Sequence, residues 1–359
     1  MSQGIVYGLY KQIVKQLPLK KWQGLGLAAL SAGIVEARSC WLSAAAERLG
    51  MYGKADSMTR RFQRLVSNSR IDVETCCTNW VSWVMSTWHE GQVILLVDET
   101  KLANHLSMMM VGLAYRERCI PLAWCCYPQD AWPMSQVDLI DHLLGVVAAG
   151  LPAGWIPLVE ADRGIGTSPE LVRRVAARGW YFLFRVQSTT RFLAADGQIC
   201  AVRQLARRGK SFSGFGQVFK DAGWLDAYVH VIWHKRFAQP WCLITNSPFI
   251  HGSAYAFRAW QEQGFRDLKS GGLHWNRSRI WNPDHANRLM LAIALAYAWL
   301  LSLGTTVIRS GRASRSAFTR GSRRRYSVFR LGLRHYSAAL SKLKPAFFRL
   351  AFIPAFPHS

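Results

Sequence analysis

An α/β or α+β core behind a helical N-terminal region is what this sequence predicts, on three observations. Residues 1–88 carry apolar positions at helical spacing. After residue 90 come short apolar runs of strand length, and between 135 and 187 helix-like and strand-like segments alternate.

Composition bounds the function. The 359 residues are enough for two or three domains, and with 50% hydrophobic and 18% charged residues the chain does not read as disordered. Lys and Arg number 45 against 21 Asp and Glu, giving a net charge of +24. Such an excess favours a polyanionic partner, a nucleic acid or an acidic membrane surface. It is concentrated at the ends: residues 309–359 hold twelve basic residues and no acidic one, and residues 1–90 hold eleven and six. Two basic ends around a balanced middle suit a protein that grips a phosphate backbone about a central worksite. The plainer reading is a solvated tail.

Eight cysteines occur without a CxxC pair; Cys76–Cys77 and Cys125–Cys126 are adjacent, a spacing suited neither to zinc nor to a disulfide framework. His230 and His234 fall in a stretch that reads as strand, where a spacing of four carries no helical-ligand meaning. The N-terminus lacks the features of a secretory signal, so a cytoplasmic protein with reduced thiols is expected. Residues 289–308 are uncharged and long enough to span a bilayer, yet a helix buried in a large core has the same pattern. Core is the expectation, a membrane-associated protein the alternative.

In chain order, residues 22–49 read as helix, with Ser43 a candidate cap for a second short helix. Gly50 to Gly53 breaks it, and Asp56 or Ser57 caps a helix bearing Arg60, Arg61 and Arg64. Short helix, glycine turn and Arg-bearing helix is a helix-turn-helix pattern, which directs those arginines at DNA; an ordinary bundle with a basic face is the alternative. The runs 93–100, 107–115, 119–127 and 156–164 read as buried strands, 135–150 and 171–179 as helices, and 180–187 as a further strand. Residues 190–247, with short strands between Gly, Asp and Pro turns, read as a β-rich insert. A helix is expected from about Ser253 to Leu268, followed by the long apolar one.

That helix is the most informative segment. At 100° per residue Tyr255, Arg258, Glu262 and Lys269 fall within an arc of roughly 60°, with Phe257, Trp260 and Leu268 on the other side. Asp98 closes the run VILLVDET and Asp162 closes IPLVEAD. A carboxylate at the end of a buried apolar strand must be paired or ligated. Two such aspartates and Glu262 can hold two Mg²⁺ ions about 3.5–4 Å apart, activating a water or 3′-hydroxyl for attack on a phosphodiester. Glu160, on the strand face of Asp162, is either an assistant or a buried partner for Arg163. Glu99 points away from Asp98, Asp267 misses the catalytic face, and Asp284 reads as a helix cap.

Tyr255-x2-Arg258-x3-Glu262-x6-Lys269, with Asp98 in VDET and Asp162 in EADRG, resembles the signature of DDE-class bacterial transposases of the insertion sequence four family. The segments at 265–272, 287–301 and 323–334 are similar to that family's pattern too, and the resemblance covers roughly residues 20–340. Ile165 departs from it, standing where the family has an aromatic residue. The resemblance implies a ribonuclease-H-like catalytic core in two parts, 89–189 and 248–308, around the insert at 190–247. An N-terminal helical DNA-end-binding domain at 1–88 and a basic C-terminal region at 309–359 complete the expected organisation.

It also implies Mg²⁺-dependent cut-and-paste transposition, with Mn²⁺ able to substitute, on double-stranded DNA (terminal inverted repeats and target) by a homodimer. Asp98, Asp162 and Glu262 are then the metal ligands. Tyr255, Arg258 and Lys269 contact DNA near the scissile bond, as Arg60, Arg61, Arg64, Arg323, Arg324 and Arg325 do elsewhere. In relatives that form hairpins a tryptophan steadies a flipped base, and Trp224, Trp233 and Trp241 stay open for that role. Two other readings keep these residues: a structure-selective nuclease that cleaves without joining, and an inactive DNA-binding relative.

Overall fold

The computed structural model describes residues 2–50, 53–88, 91–311, 319–320, 323–324, 326–341 and 350–353. Five helices come first: α1 (Ser2–Gln16), α2 (Lys21–Ala37), α3 (Leu42–Glu47), α4 (Ala55–Val66) and α5 (Val73–Met85). Between Leu27 and Val35 α2 is buried on every side, so its apolar residues need no polar face. The expected caps are corrected: Trp41 precedes α3 and Lys54 precedes α4, neither with a side-chain cap bond. Asp56 instead lies in the first turn of α4, where its charge favours the helix dipole without capping it. Asp72 caps α5 by accepting from the Glu74 and Thr75 amides.

The next elements are β1 (Ile94–Leu102), β2 (Leu106–Tyr115), β3 (Arg118–Pro128), α6 (Gln136–Gly150), β4 (Leu158–Ala161), α7 (Arg163–Gly166), α8 (Pro169–Ala177) and β5 (Tyr181–Arg185). Then follow β6 (Arg191–Leu193), β7 (Ile199–Ala201), β8 (Ser211–Val218), β9 (Leu225–Ile232) and β10 (Trp241–Thr245). All ten strands form one mixed sheet in the order β3-β2-β1-β4-β5-β10-β9-β8-β6-β7. β1, β4 and β5 run parallel and the other pairings are antiparallel. The strands of 190–247 are thus no separate layer, because β10 pairs directly with β5. Gly, Asp and Pro turns mark where strands end, and a sheet can run straight on across such turns.

A 3₁₀ turn (Gly252–Phe257) leads into α9 (Arg258–Leu268), and α10 (Pro283–Arg309) follows. Asn282, not Asp284, caps α10 by accepting from the His285 amide. Among the described residues α10 is the one helix long and apolar enough to cross a membrane, and 83% of its apolar stretch is buried inside the fold. The strand pair β11 (Thr319–Arg320) and β12 (Arg323–Arg324) comes next, then α11 (Val328–Ser341).

At the crossing of α11 over α10 a Cβ on Gly304 would meet the Val328 carbonyl oxygen at 1.9 Å, and one on Gly332 would meet the Leu300 carbonyl oxygen at 1.9 Å. Only paired glycines let the two backbones approach so closely. Val328, Phe329, Tyr336 and Phe352 are all buried. The region after residue 309 is therefore not simply a solvated basic tail: its apolar residues complete the same core that begins at Ile5.

Candidate active site and nucleic-acid interface

Sheet register brings the first two carboxylates together. The parallel pairing of β1 with β4 ends at Val97 opposite Ala161, so Asp98 and Asp162 are the next residues on neighbouring strands. Asp98 does not close its strand, as the sequence suggested: antiparallel pairing with β2 carries β1 on to Leu102. Asp162 does leave β4, and its Oδ1 caps α7 by accepting from the Gly164 amide at 2.9 Å and the Ile165 amide at 3.2 Å. That bond fixes one oxygen and leaves Oδ2 for other partners.

The third carboxylate arrives with α9. Arg258, the first residue of that helix, places Nη2 2.7 Å from Asp98 Oδ2 and 4.0 Å from Asp162 Oδ2, while its Nη1 lies 3.7 Å from Glu262 Oε1. One guanidinium is therefore the shared neighbour of Asp98, Asp162 and Glu262. Arg258 is 7% exposed, whereas the Glu262 side chain is 66% exposed. Burial pushes the Asp98 carboxyl up to about 6; Arg258 opposes this and the Asp162 charge adds to it. Among the described residues no three or more His, Cys, Asp or Glu side chains are already drawn together as a metal site, and the Arg258 guanidinium stands between these carboxylates.

The donor set nevertheless fits a hard divalent ion. Three carboxylates and one guanidinium leave two negative charges when all are ionised, and oxygen-only donors suit Mg²⁺ or Mn²⁺ over softer metals. Glu160 adds to the charge in reserve. It lies on the same sheet face, has no exposed surface, and neither carboxylate oxygen has a hydrogen-bond partner. Burial holds its proton well above the usual carboxylate range, with Arg258 pulling the other way. Arg163, which the sequence offered as its partner, is exposed.

The other signature residues are placed unevenly. Lys269 has left the helix and donates to Thr100 Oγ1 at 2.8 Å and the Lys101 carbonyl at 3.1 Å, which ties it to β1 beside Asp98. Burial lowers its pKa, and Asp98 opposes that. Tyr255 sits on the 3₁₀ turn, not on α9, so the arc drawn at 100° per residue does not describe it. It is buried, its hydroxyl pushed up to about 12, and its ring stands edge-on to Trp241 at 5.2 Å. Of the three tryptophans left open by the sequence, Trp241 is thus the one in contact with the signature.

Sequence reasoning missed Gln261. Wholly buried on α9, it donates from Nε2 to the Met110 carbonyl, and Met110 is the β2 partner of Asp98. A glutamine on the apolar side of the helix was the available signal. Asp267 lies away from the carboxylates, as expected, in an ion pair with Arg118.

On α4 the three arginines diverge. Arg60 and Arg64 line a groove of about 770 Å³ with Trp41, Gln63, Arg279 and His285, where the Arg279 guanidinium lies 5.4 Å from the Trp41 ring centre. Arg61 is on another side, against Met58, and lines a separate groove that includes Trp22 and Arg64. Arg323 and Arg324 lie on β12, and Arg325 is outside the described residues. Compared with known proteins, the chain matches no protein-family model and no curated protein.

Proposed function

We propose that this chain is a DDE-class DNA transposase that cleaves phosphodiesters at the ends of a mobile element and joins them to target DNA. The observation that carries the reading is the convergence of Asp98, Asp162 and Glu262, from two adjacent strands and one helix, on a single guanidinium. The sheet half β3-β2-β1-β4-β5, with Asp98 within β1 and Asp162 just past the end of the parallel neighbour β4, supports a ribonuclease-H-like core. The basic surfaces support double-stranded DNA as the partner, and the homodimer is proposed on the family resemblance alone.

Asp98, Asp162 and Glu262 are the residues to hold Mg²⁺, with Mn²⁺ as a substitute. Bound there, the metal supplies Lewis-acid activation of a water or 3′-hydroxyl and stabilisation of the leaving oxygen. The chain's own groups do the positioning. Arg258 Nε and Nη1 are buried without a hydrogen-bond partner, so donor capacity stays unspent at the centre of the three carboxylates. Lys269, tethered to β1, sets a second cation at the same edge. Trp241 is the ring we assign to an unstacked base, supported by its contact with Tyr255.

The test is excision and joining from a plasmid that carries the gene's own flanking DNA, with Mg²⁺ and purified protein. Wild type is expected to release metal-dependent double-strand ends and joined products. Glu262→Gln should lose cleavage by at least a hundredfold while binding DNA as before. Cleavage without joined products would favour the structure-selective nuclease, and binding without cleavage an inactive relative.

A further inference from the structure

The edge of the sheet that carries Asp98 and Asp162 also carries a group of cations outside the proposed active site. The register follows Val97 to Ala161, Ala161 to Phe184 and Phe184 to Ile244, so the C-terminal ends of β1, β4 and β5 lie level with the N-terminal end of β10. Trp241 on β10 pairs with Ile232 on β9, and Ile232 with Ser211 on β8. The segment entering β8 and the segment leaving β9 therefore project from this same edge.

Those two segments hold Arg207, Arg208 and Lys210, and Lys235 and Arg236, all exposed. No Asp or Glu occurs between Asp196 and Asp221 or between Asp226 and Glu262. Among the described residues none of the five cations is in a salt bridge. The segments are tied to each other. The Gly209 amide donates to the Trp233 carbonyl at 2.7 Å, the Trp233 amide to the Lys210 carbonyl at 3.2 Å, and Arg208 Nε to the Lys235 carbonyl at 2.8 Å. At their tip Phe237 is 60% exposed, held by a turn from its amide to the His234 carbonyl. Five like charges on a braced backbone repel one another unless an anion lies across them.

We infer that this basic edge is a second DNA-contact surface, which holds the duplex backbone beside the proposed active site. The inference rests on the transposase reading for its partner and on the register for its place. β9 is three strands from β4, about 14 Å at ~4.8 Å per strand. That spans about four base pairs at ~3.4 Å each. The Arg and Lys side chains meet phosphates there, and Phe237 lies where an apolar side chain can press into a groove.

The experiment measures binding of a 40-base-pair fluorescent duplex by anisotropy across a range of salt. It compares wild type with the triple variant Arg207→Gln, Lys235→Gln, Arg236→Gln, which spares the Arg208 bond. A control removes charge at the opposite end of β8 and β9 through Lys220→Gln and Arg173→Gln, both exposed. Each phosphate contact contributes about 0.9 to the slope of log affinity against log salt. The edge variant is expected to lose about 2.7 from that slope, with an unchanged melting temperature, and the control to lose less than one. An unchanged slope in the edge variant, or an equal loss in the control, overturns the inference while leaving the active-site reading intact. Failure of wild type to bind the duplex at all would overturn the DNA reading itself.

Discussion

At Glu160 a carboxyl group sits with no exposed surface and no hydrogen-bond partner for either oxygen. Its folded-state proton affinity is raised by burial. Between the ordinary glutamate range and that raised value the folded chain holds a proton that the unfolded chain releases. Stability due to this residue is therefore lost as pH rises through that window. Each tenfold difference in proton affinity is worth about 1.4 kcal/mol. Glu160→Gln has no proton to lose, so its urea midpoint should gain on wild type from pH 5 to pH 8; parallel curves would contradict this. Asp98, pushed up to about 6, has the same sign but a different use. A metal must compete with its proton, so Mn²⁺ affinity should fall about tenfold per pH unit below 6, read by electron paramagnetic resonance. A flat profile would remove Asp98 from the ligand set. The residue types and spacing of the three carboxylates were legible in the sequence. The buried Arg258 at their centre was not, because helical angles give direction around an axis and not depth below a surface.

At the scale of elements, periodicity placed most strands and helices, and it faltered where neighbours decide. The Tyr255 segment winds as 3₁₀ and buries its ring against Trp241, a residue of another strand. β1 runs past Asp98 because β2 offers it partners to Leu102. Likewise α4 shows Arg60 and Arg61 as sequence neighbours on different surfaces. Arg60→Ala with Arg64→Ala should weaken binding of element-end DNA at least tenfold, and Arg61→Ala by much less, in the same anisotropy assay. Equal losses would return the helix to a merely basic face. The crossing of α10 and α11 gives a stability test. Gly304→Ala forces a methyl group into the Val328 carbonyl and should cost about 1–3 kcal/mol in equilibrium unfolding. An unchanged midpoint would mean the helices can separate without loss.

For the whole molecule, the spacing of apolar residues foresaw a mixed α/β chain, and the sheet bears out its mixed character. The strand-rich character of 190–247 was legible, but the direct pairing of β10 with β5, which joins these strands to the main sheet, was not. Charge counting drew the eye to arginines after residue 309 and away from the apolar residues among them. Phe352 is buried edge-on to Tyr115 at 5.4 Å, and the Ile353 carbonyl accepts from Arg116 Nε at 2.8 Å. Removing residues 309–359 should therefore unfold the protein as well as weaken its grip on DNA. Circular dichroism of the truncated chain tests this, and a native-like spectrum with a cooperative melt would show those contacts to be dispensable.

The same contacts bear on how the chain is made. Tyr115 lies on the second strand of the sheet, and the residues that seal it are translated more than two hundred positions later. While the ribosome is still at work, β2 has no lid at that end, and α10 lacks the helix that covers it. A nascent chain can collect its strands in order, but this end of β2 stays open until Phe352 and Ile353 have been added.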